Sequence, residues 1–305
     1  MCIVIKSHFS AAQISKAFFS ACRTEVRALK PGNVHVFADG HGMKVSDFET
    51  SARVSAPHIS NQNFRVGERI LRAVEATFAS VHCNTNLGIL LLCAPLAAAA
   101  QNPAGERASL KTSLEQVLAG LDHSDAANVF KAIAMANPGG MGSDAVADVR
   151  QPPPQDVSLV DAMRMASAHD LIALEYVSGF QRVFAMHDHE FAPLLAKGWS
   201  PEDAIARVYL HALARIPDSH IARKFGAVAA EGVRQEAAAL EARHFLTAET
   251  RPSDPEAQTG LLAFDTELKA EGLNPGSLAD LMAAILFVAA LSLKTGNPPS
   301  VVATH

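Results

Sequence analysis

Apolar residues recur every three to four positions along most of the chain, which is a helical period. Between Phe9 and Leu29 they fall at Ile14, Phe18, Ala21, Cys22 and Val26, and predict a helix with one buried face. Val45–Ser60 predicts a second helix, with Ser46 as cap and Glu49 three residues later as a capping box. Val66–Ser80 predicts a third, with Ile70, Leu71, Val74 and Phe78 on one side and Arg69, Arg72 and Glu75 on the other. Further helices are predicted over Ser109–Leu121, over Asp122–Met135 with Ser124 as cap, over Leu159–Phe184, over Pro201–Ile216 with Ser200 as cap, and over Ala227–Phe245. Two runs, Leu87–Ala100 and Ala283–Leu293, are apolar all round. Both fall short of the roughly 20 residues of a membrane span, so they predict buried core helices.

Polar groups gather where this pattern breaks. Leu29–Gly42, LKPGNVHVFADGHG, cannot continue a helix, because Pro31 lacks a donor and Gly32 permits positive φ. Lys30, Asn33, His35, Asp39 and His41 crowd this short loop. Glu25, near the end of the preceding helix, can place its carboxylate beside it. Asn84, Thr85 and Asn86 stand at the mouth of the first apolar run, where polar amides need partners. Asn137–Val149 is glycine-rich, and Gln151–Gln155 carries three consecutive prolines that predict a stiff connection within one domain spanning 1–305. Asp170 lies among Leu171, Ile172 and Leu174. His187–Glu190 predicts a solvated helix end or turn. Asp218, Ser219, His220, Arg223 and Lys224 gather at a predicted helix start, and Thr250–Glu256 predicts a loop. Ser277 caps a last helix, with Asp280 just ahead of the second apolar run.

Composition agrees with packed helices. Hydrophobic residues make up 49% of 305 positions and aromatics only 6%, which predicts an all-α fold: a single-domain multi-helix bundle around a buried central helix. A net charge of −5 provides no broad cationic surface for nucleic acid. Four dispersed cysteines without a CxxC predict isolated thiols in a reducing cytoplasm. The N-terminus meets Lys6 and His8 too early for a secretory signal. A small-molecule partner, no membrane and a homodimer complete these expectations.

In order along the chain, KPGNV after EVRAL, then NTNLGILLL, DLIALEY and NPGSLADL resemble the triphosphoribosyl-dephospho-CoA synthase family, with its KPGLVD-type, GGVNTHKG-type and SPGGSADLL-type segments. Lys30, Pro31, Gly32 and Val34 match the first motif. Asn84, Thr85 and Gly88 match the second, and Pro275, Gly276, Ser277, Ala279, Asp280 and Leu281 the third. The chain departs from the pattern at Asn86, where the family has histidine, at Val81 and His82 in place of paired glycines, and at His35 in place of an acid. The NTN form resembles a divergent branch associated with tetrahydromethanopterin-type C1 metabolism.

The resemblance implies an all-α transferase that takes ATP and 3′-dephospho-CoA, displaces adenine and joins the triphosphoribosyl group to a ribose hydroxyl. Such a reaction must hold a triphosphate, stabilise a developing oxocarbenium-like centre and deprotonate a hydroxyl. The expected phosphate contacts are Lys30, Arg223 and Lys224, with backbone approach at Gly32. Mg²⁺ is expected on Asp170 and Asp218, with Glu25 and Asp280 as further candidates. Asn33, Asn84, Thr85, Asn86 and Ser277 would orient the ribose or phosphates, and His35 or His41 would take the proton. The donor is ATP or a related one such as phosphoribosyl pyrophosphate, and three other functions are weighed: an enzyme of tetrahydromethanopterin-type C1 cofactor biosynthesis with a different acceptor, an HD-type metal phosphohydrolase, from His169-Asp170, and a non-catalytic nucleotide- or cofactor-binding protein, from the loss of the family histidine at Asn86.

Overall fold

LGILLLCAPLAAAAQ has no polar face, so its helix is stable in water only if other helices surround it. In the computed structural model this is α4 (Leu87–Gln101), and every residue except Gly88 is buried. The structure describes residues 9–102, 109–136, 151–245 and 247–292. The glycine-rich segment 137–149 lies outside them. The second apolar run forms α15 (Gly276–Ser292), which packs on α4. α1 (Ala11–Arg27) lies along α15, where Phe18 and Phe287 meet edge to face at 6.0 Å. α2 (Val45–Ile59) packs on α1, α3 (Val66–Val81) on α2, and α6 (His123–Ala136) on α3. α5 (Leu110–Ala119), capped by Ser109, packs on α4.

The remaining elements are α7 (Leu159–Ala166), α8 (Leu171–Ser178), α9 (Gln181–Met186), α10 (Ala192–Ala196), α11 (Pro201–Leu213), α12 (Ser219–Phe225), α13 (Ala227–His244) and α14 (Pro255–Ala270). Two isolated β bridges, His35–Ala38 and Gly40–Met43, pair described residues with one another. No helix among them is long and apolar enough to cross a membrane.

Several local expectations are corrected. The helix predicted over Leu159–Phe184 is three, because the Asp170 side chain accepts from Ile172 and Ala173 N–H and starts α8 anew. Gly179 and Phe180 then turn left-handed and end it. Ser46 does not cap α2. The chain enters at Lys44, whose N–H donates to Asp47 Oδ2 at 2.7 Å. α6 is capped by Asp122, which accepts from Ser124 and Asp125 N–H, rather than by Ser124. Arg69, expected outward, is buried and donates to Phe64 O, Ile59 O and Gln101 Oε1, so its charge is spread over three acceptors. His187–Phe191 is a π-helical turn between α9 and α10 rather than a solvated end, and His187 is buried.

Candidate active site

Two Pro-Gly turns face each other. Gly32, at φ +83°, lies so close to the Asn274–Gly276 turn that an added Cβ would stand 2.7 Å from Pro275 Cδ. Only glycine satisfies both the left-handed backbone and that approach. Asn33 Nδ2 donates to Pro275 O and to Tyr209 Oη, and Tyr209 in turn donates to Pro31 O at 2.8 Å. Asp265 of α14 holds the loop from beneath. Its Oδ1 accepts from Gly32 N–H at 2.9 Å and lies 3.1 Å from His35 Nε2, while Oδ2 accepts from Lys269 Nζ. Burial opposes the charge on Asp265, but His35 and Lys269 keep its carboxyl below the usual value. Burial pushes His35 the other way, below the usual imidazole value and towards the neutral form.

Helix starts converge beside these turns. Asp218 Oδ1 accepts from His220 and Ile221 N–H, and its Oδ2 accepts from Leu278 N–H, so one carboxylate caps both α12 and α15. Ser219 Oγ accepts from Leu171 N–H at the start of α8 and donates to Ser277 Oγ at 2.8 Å. The start of α4 joins them: Asn84 Oδ1 accepts from Leu87 N–H, and a Cβ on Gly88 would collide with the Asp280 carboxylate. Positive helix ends gathered this way favour an anion.

The charged groups divide by partner. Lys30 and Glu25 form a buried pair at 3.0 Å, and Lys30 also donates to Glu25 O at 2.8 Å. Arg223 holds Asp170 Oδ2 at 3.0 Å. Asp280 has neither a hydrogen bond nor an ion pair among the described residues. Burial, then the nearby charges of Glu25, Asp218 and Asp170, raise its carboxyl well above the usual value. Burial also raises Asp218, to about 6. His41 donates from Nε2 to Gly32 O at 2.8 Å, the only sense a carbonyl allows.

The placement of the expected site residues follows from these contacts. Glu25, Lys30, Gly32, Asn33, His41, Asn84, Asn86, Asp170, Asp218, Arg223, Ser277 and Asp280 come to one region. His35 does not face it, being wholly buried on Asp265. Lys30 is turned inward onto Glu25, and Thr85 bonds Ser51 Oγ at 2.6 Å. Lys224 is exposed, over the Phe225 ring. Asp218, Asn84 and Ser277 serve as helix-start contacts. The Asn86 amide nitrogen is buried with no partner among the described residues. Asp265 and Tyr209 are not among the expected site residues, and His220 figures there only as a member of the Asp218–Lys224 cluster. The only local signal was Asp265 and Lys269 spaced four apart, which reads as a surface pair. A groove of about 560 Å³ between α13 and α14, lined by Arg243, His244 and Phe264 among others, shares no residue with this region.

Residues 11–298 match the family described as CitG, ATP:dephospho-CoA triphosphoribosyl transferase. The chain belongs to this family. It is a triphosphoribosyl-transferase-type enzyme, and ATP as substrate fits the family. A solved structure from Archaeoglobus fulgidus, provisionally assigned as a triphosphoribosyl-dephospho-CoA synthase, is similar at 25% identity, with a TM-score of 0.59 over 78% of this chain and 96% of that one. No curated protein sequence is a significant match. The family is a transferase family, and of the His169-Asp170 pair that suggested a phosphohydrolase, His169 is exposed and Asp170 caps α8 and binds Arg223.

Proposed function

We propose that the chain transfers the triphosphoribosyl unit of ATP to the ribose hydroxyl of 3′-dephospho-CoA at the cleft between the two Pro-Gly turns and the starts of α4, α8 and α15. The observation that carries this is Asp280. A half-buried carboxylate without partners, pressed on Gly88 and ringed by Glu25, Asp170 and Asp218, is short of a cation. No three such side chains are grouped to hold a metal by themselves among the described residues, so the fit is to Mg²⁺ held by one or two carboxylates with substrate phosphates and water completing the shell. Asp280 would hold it, with Glu25, paired to Lys30, as its neighbouring carboxylate. Asp218 is unsuited, since both its oxygens accept backbone N–H groups. When bound, the ion would neutralise the triphosphate and so stabilise charge on the transferring unit.

The chain's own groups supply the rest. Arg223, at the edge of the acidic group, faces the phosphates, and Asp170 fixes its guanidinium. The dipoles of α4 and α15 turn their positive ends towards the same anion. His41, held on Gly32 O, fixes the loop that borders the acceptor side of the cleft. The test is adenine release from ATP and Mg²⁺ with and without 3′-dephospho-CoA. Release that depends on the acceptor is expected, and acceptor-independent or absent release refutes the assignment. The buried, unpartnered amide of Asn86 favours one second reading, a different acceptor such as a C1-cofactor precursor, for which the same assay with that acceptor is the discriminating arm.

A further inference from the structure

We infer that His220 is the group that takes the proton from the acceptor hydroxyl, an inference that rests on the transferase reaction proposed above. Three histidines stand around the two Pro-Gly turns, and two are committed. His35 is buried on Asp265, and His41 spends Nε2 on Gly32 O. The His220 backbone is pinned by its N–H bond to Asp218 at 2.8 Å, yet neither ring nitrogen has a hydrogen-bond partner among the described residues. The ring is half-exposed. Its seat is built by Gly276, because a Cβ there would stand 2.6 Å from Nδ1. Any side chain at the first residue of α15 would displace the imidazole.

The charges facing this ring are His41 from the loop after Pro31, and Arg223 and Lys224 from its own helix. α15 contributes only the backbone of Gly276, and the Asp218 oxygens beneath are taken by N–H groups. Burial and the two cations draw the imidazole down to about 4, so it is neutral at pH 7 and able to accept, but it is a weak base. A triphosphate on Arg223 offsets that positive field. Base strength is thereby switched on by the donor substrate, and a hydroxyl arriving without ATP meets a poor base. In the step, the acceptor O–H proton passes to His220, its oxygen bonds C1′, and the C1′–N9 bond breaks with its electron pair on N9. The proton then leaves the imidazolium through water to the departing adenine.

Two experiments on the full chain test this. In ¹³C-histidine NMR, the signal absent from His220→Gln marks the ring. Saturating inorganic tripolyphosphate with Mg²⁺ is expected to raise its proton affinity at least tenfold, and an unmoved midpoint overturns the inference. In single-turnover adenine release, His220→Gln is expected to lose about 10²–10⁴-fold while binding ATP within threefold of wild type. His220→Ala is expected to recover in part with added imidazole. Transfer by His220→Gln within threefold of wild type overturns the inference. If wild type releases no adenine with 3′-dephospho-CoA, the transfer assignment itself fails, and the tripolyphosphate titration still decides whether His220 faces bound phosphate.

Discussion

At the scale of single residues, Gly88 shows how one missing methyl shapes the cleft. In a helix, Gly→Ala normally stabilises by about 0.5–1 kcal/mol. At Gly88 the sign should reverse, because the methyl would occupy the place of the Asp280 carboxylate. Gly88→Ala is expected to melt no higher than wild type and to transfer at least tenfold more slowly, with an unchanged far-UV spectrum. His35 tests the opposite assignment, a histidine near the motif that does no chemistry. Burial lowers its folded-state value, so the folded chain binds this proton more weakly than the unfolded one. The stability it contributes is therefore complete above the unfolded value near 6.5 and is lost as pH falls below it. His35→Gln should flatten the melting temperature between pH 7 and pH 5 relative to wild type. Adenine release by the same variant should stay within a few fold.

At the scale of elements, α14 decides whether the Lys30–Asn33 turn is held. Asp265→Ala strips the acceptor from Gly32 N–H and leaves His35 and Lys269 without their anion, which costs about 3–5 kcal/mol for a buried pair broken on one side. Chemical denaturation should show that loss, and transfer should fall with it because His41 rides on the same loop. Asp265→Asn keeps an acceptor for Gly32 and should recover part of the stability. None of this was legible in sequence. The contact from Gly32 spans 233 positions, and α14 itself was passed over between a polar loop and the Asn-Pro-Gly turn. What local pattern did reveal is the all-α class, α4 and α15 as buried runs, and the polar residues at their starts, because uniform apolarity and a helix cap are both written within a few residues. Asp170 and Asp218 show the limit. Asp170 stands out among apolar neighbours and Asp218 within a polar cluster, yet each is explained first as a cap: Asp170 restarts a helix that periodicity runs through, and Asp218 serves two helices far apart in sequence.

At the scale of the whole molecule, the two buried helices begin at the same end, and this gathers the distant motifs. Asp280 of α15 rests on Gly88 of α4, Leu278 N–H is held by Asp218 ahead of α12, and Ser219 joins the starts of α8 and α15. A ligand that binds there touches elements from most of the chain, so its binding energy should appear in global unfolding rather than in one loop. At a hundred times its dissociation constant, ATP with Mg²⁺ adds about 2.7 kcal/mol, which for a chain of this size is roughly 5 °C in melting temperature. ATP alone should give only part of that rise if a carboxylate-held cation belongs to the site. Asp280→Asn separates the contributions. Without ligand it should melt no lower than wild type, since it removes a carboxyl whose ionisation burial and the charges of Glu25, Asp218 and Asp170 oppose. With ATP it should keep the metal-independent increment through Arg223 and the helix starts, and it should lose the increment that Mg²⁺ adds. An undiminished Mg²⁺ increment in Asp280→Asn would place the cation elsewhere and leave the free carboxylate of Asp280 without a role in the transfer.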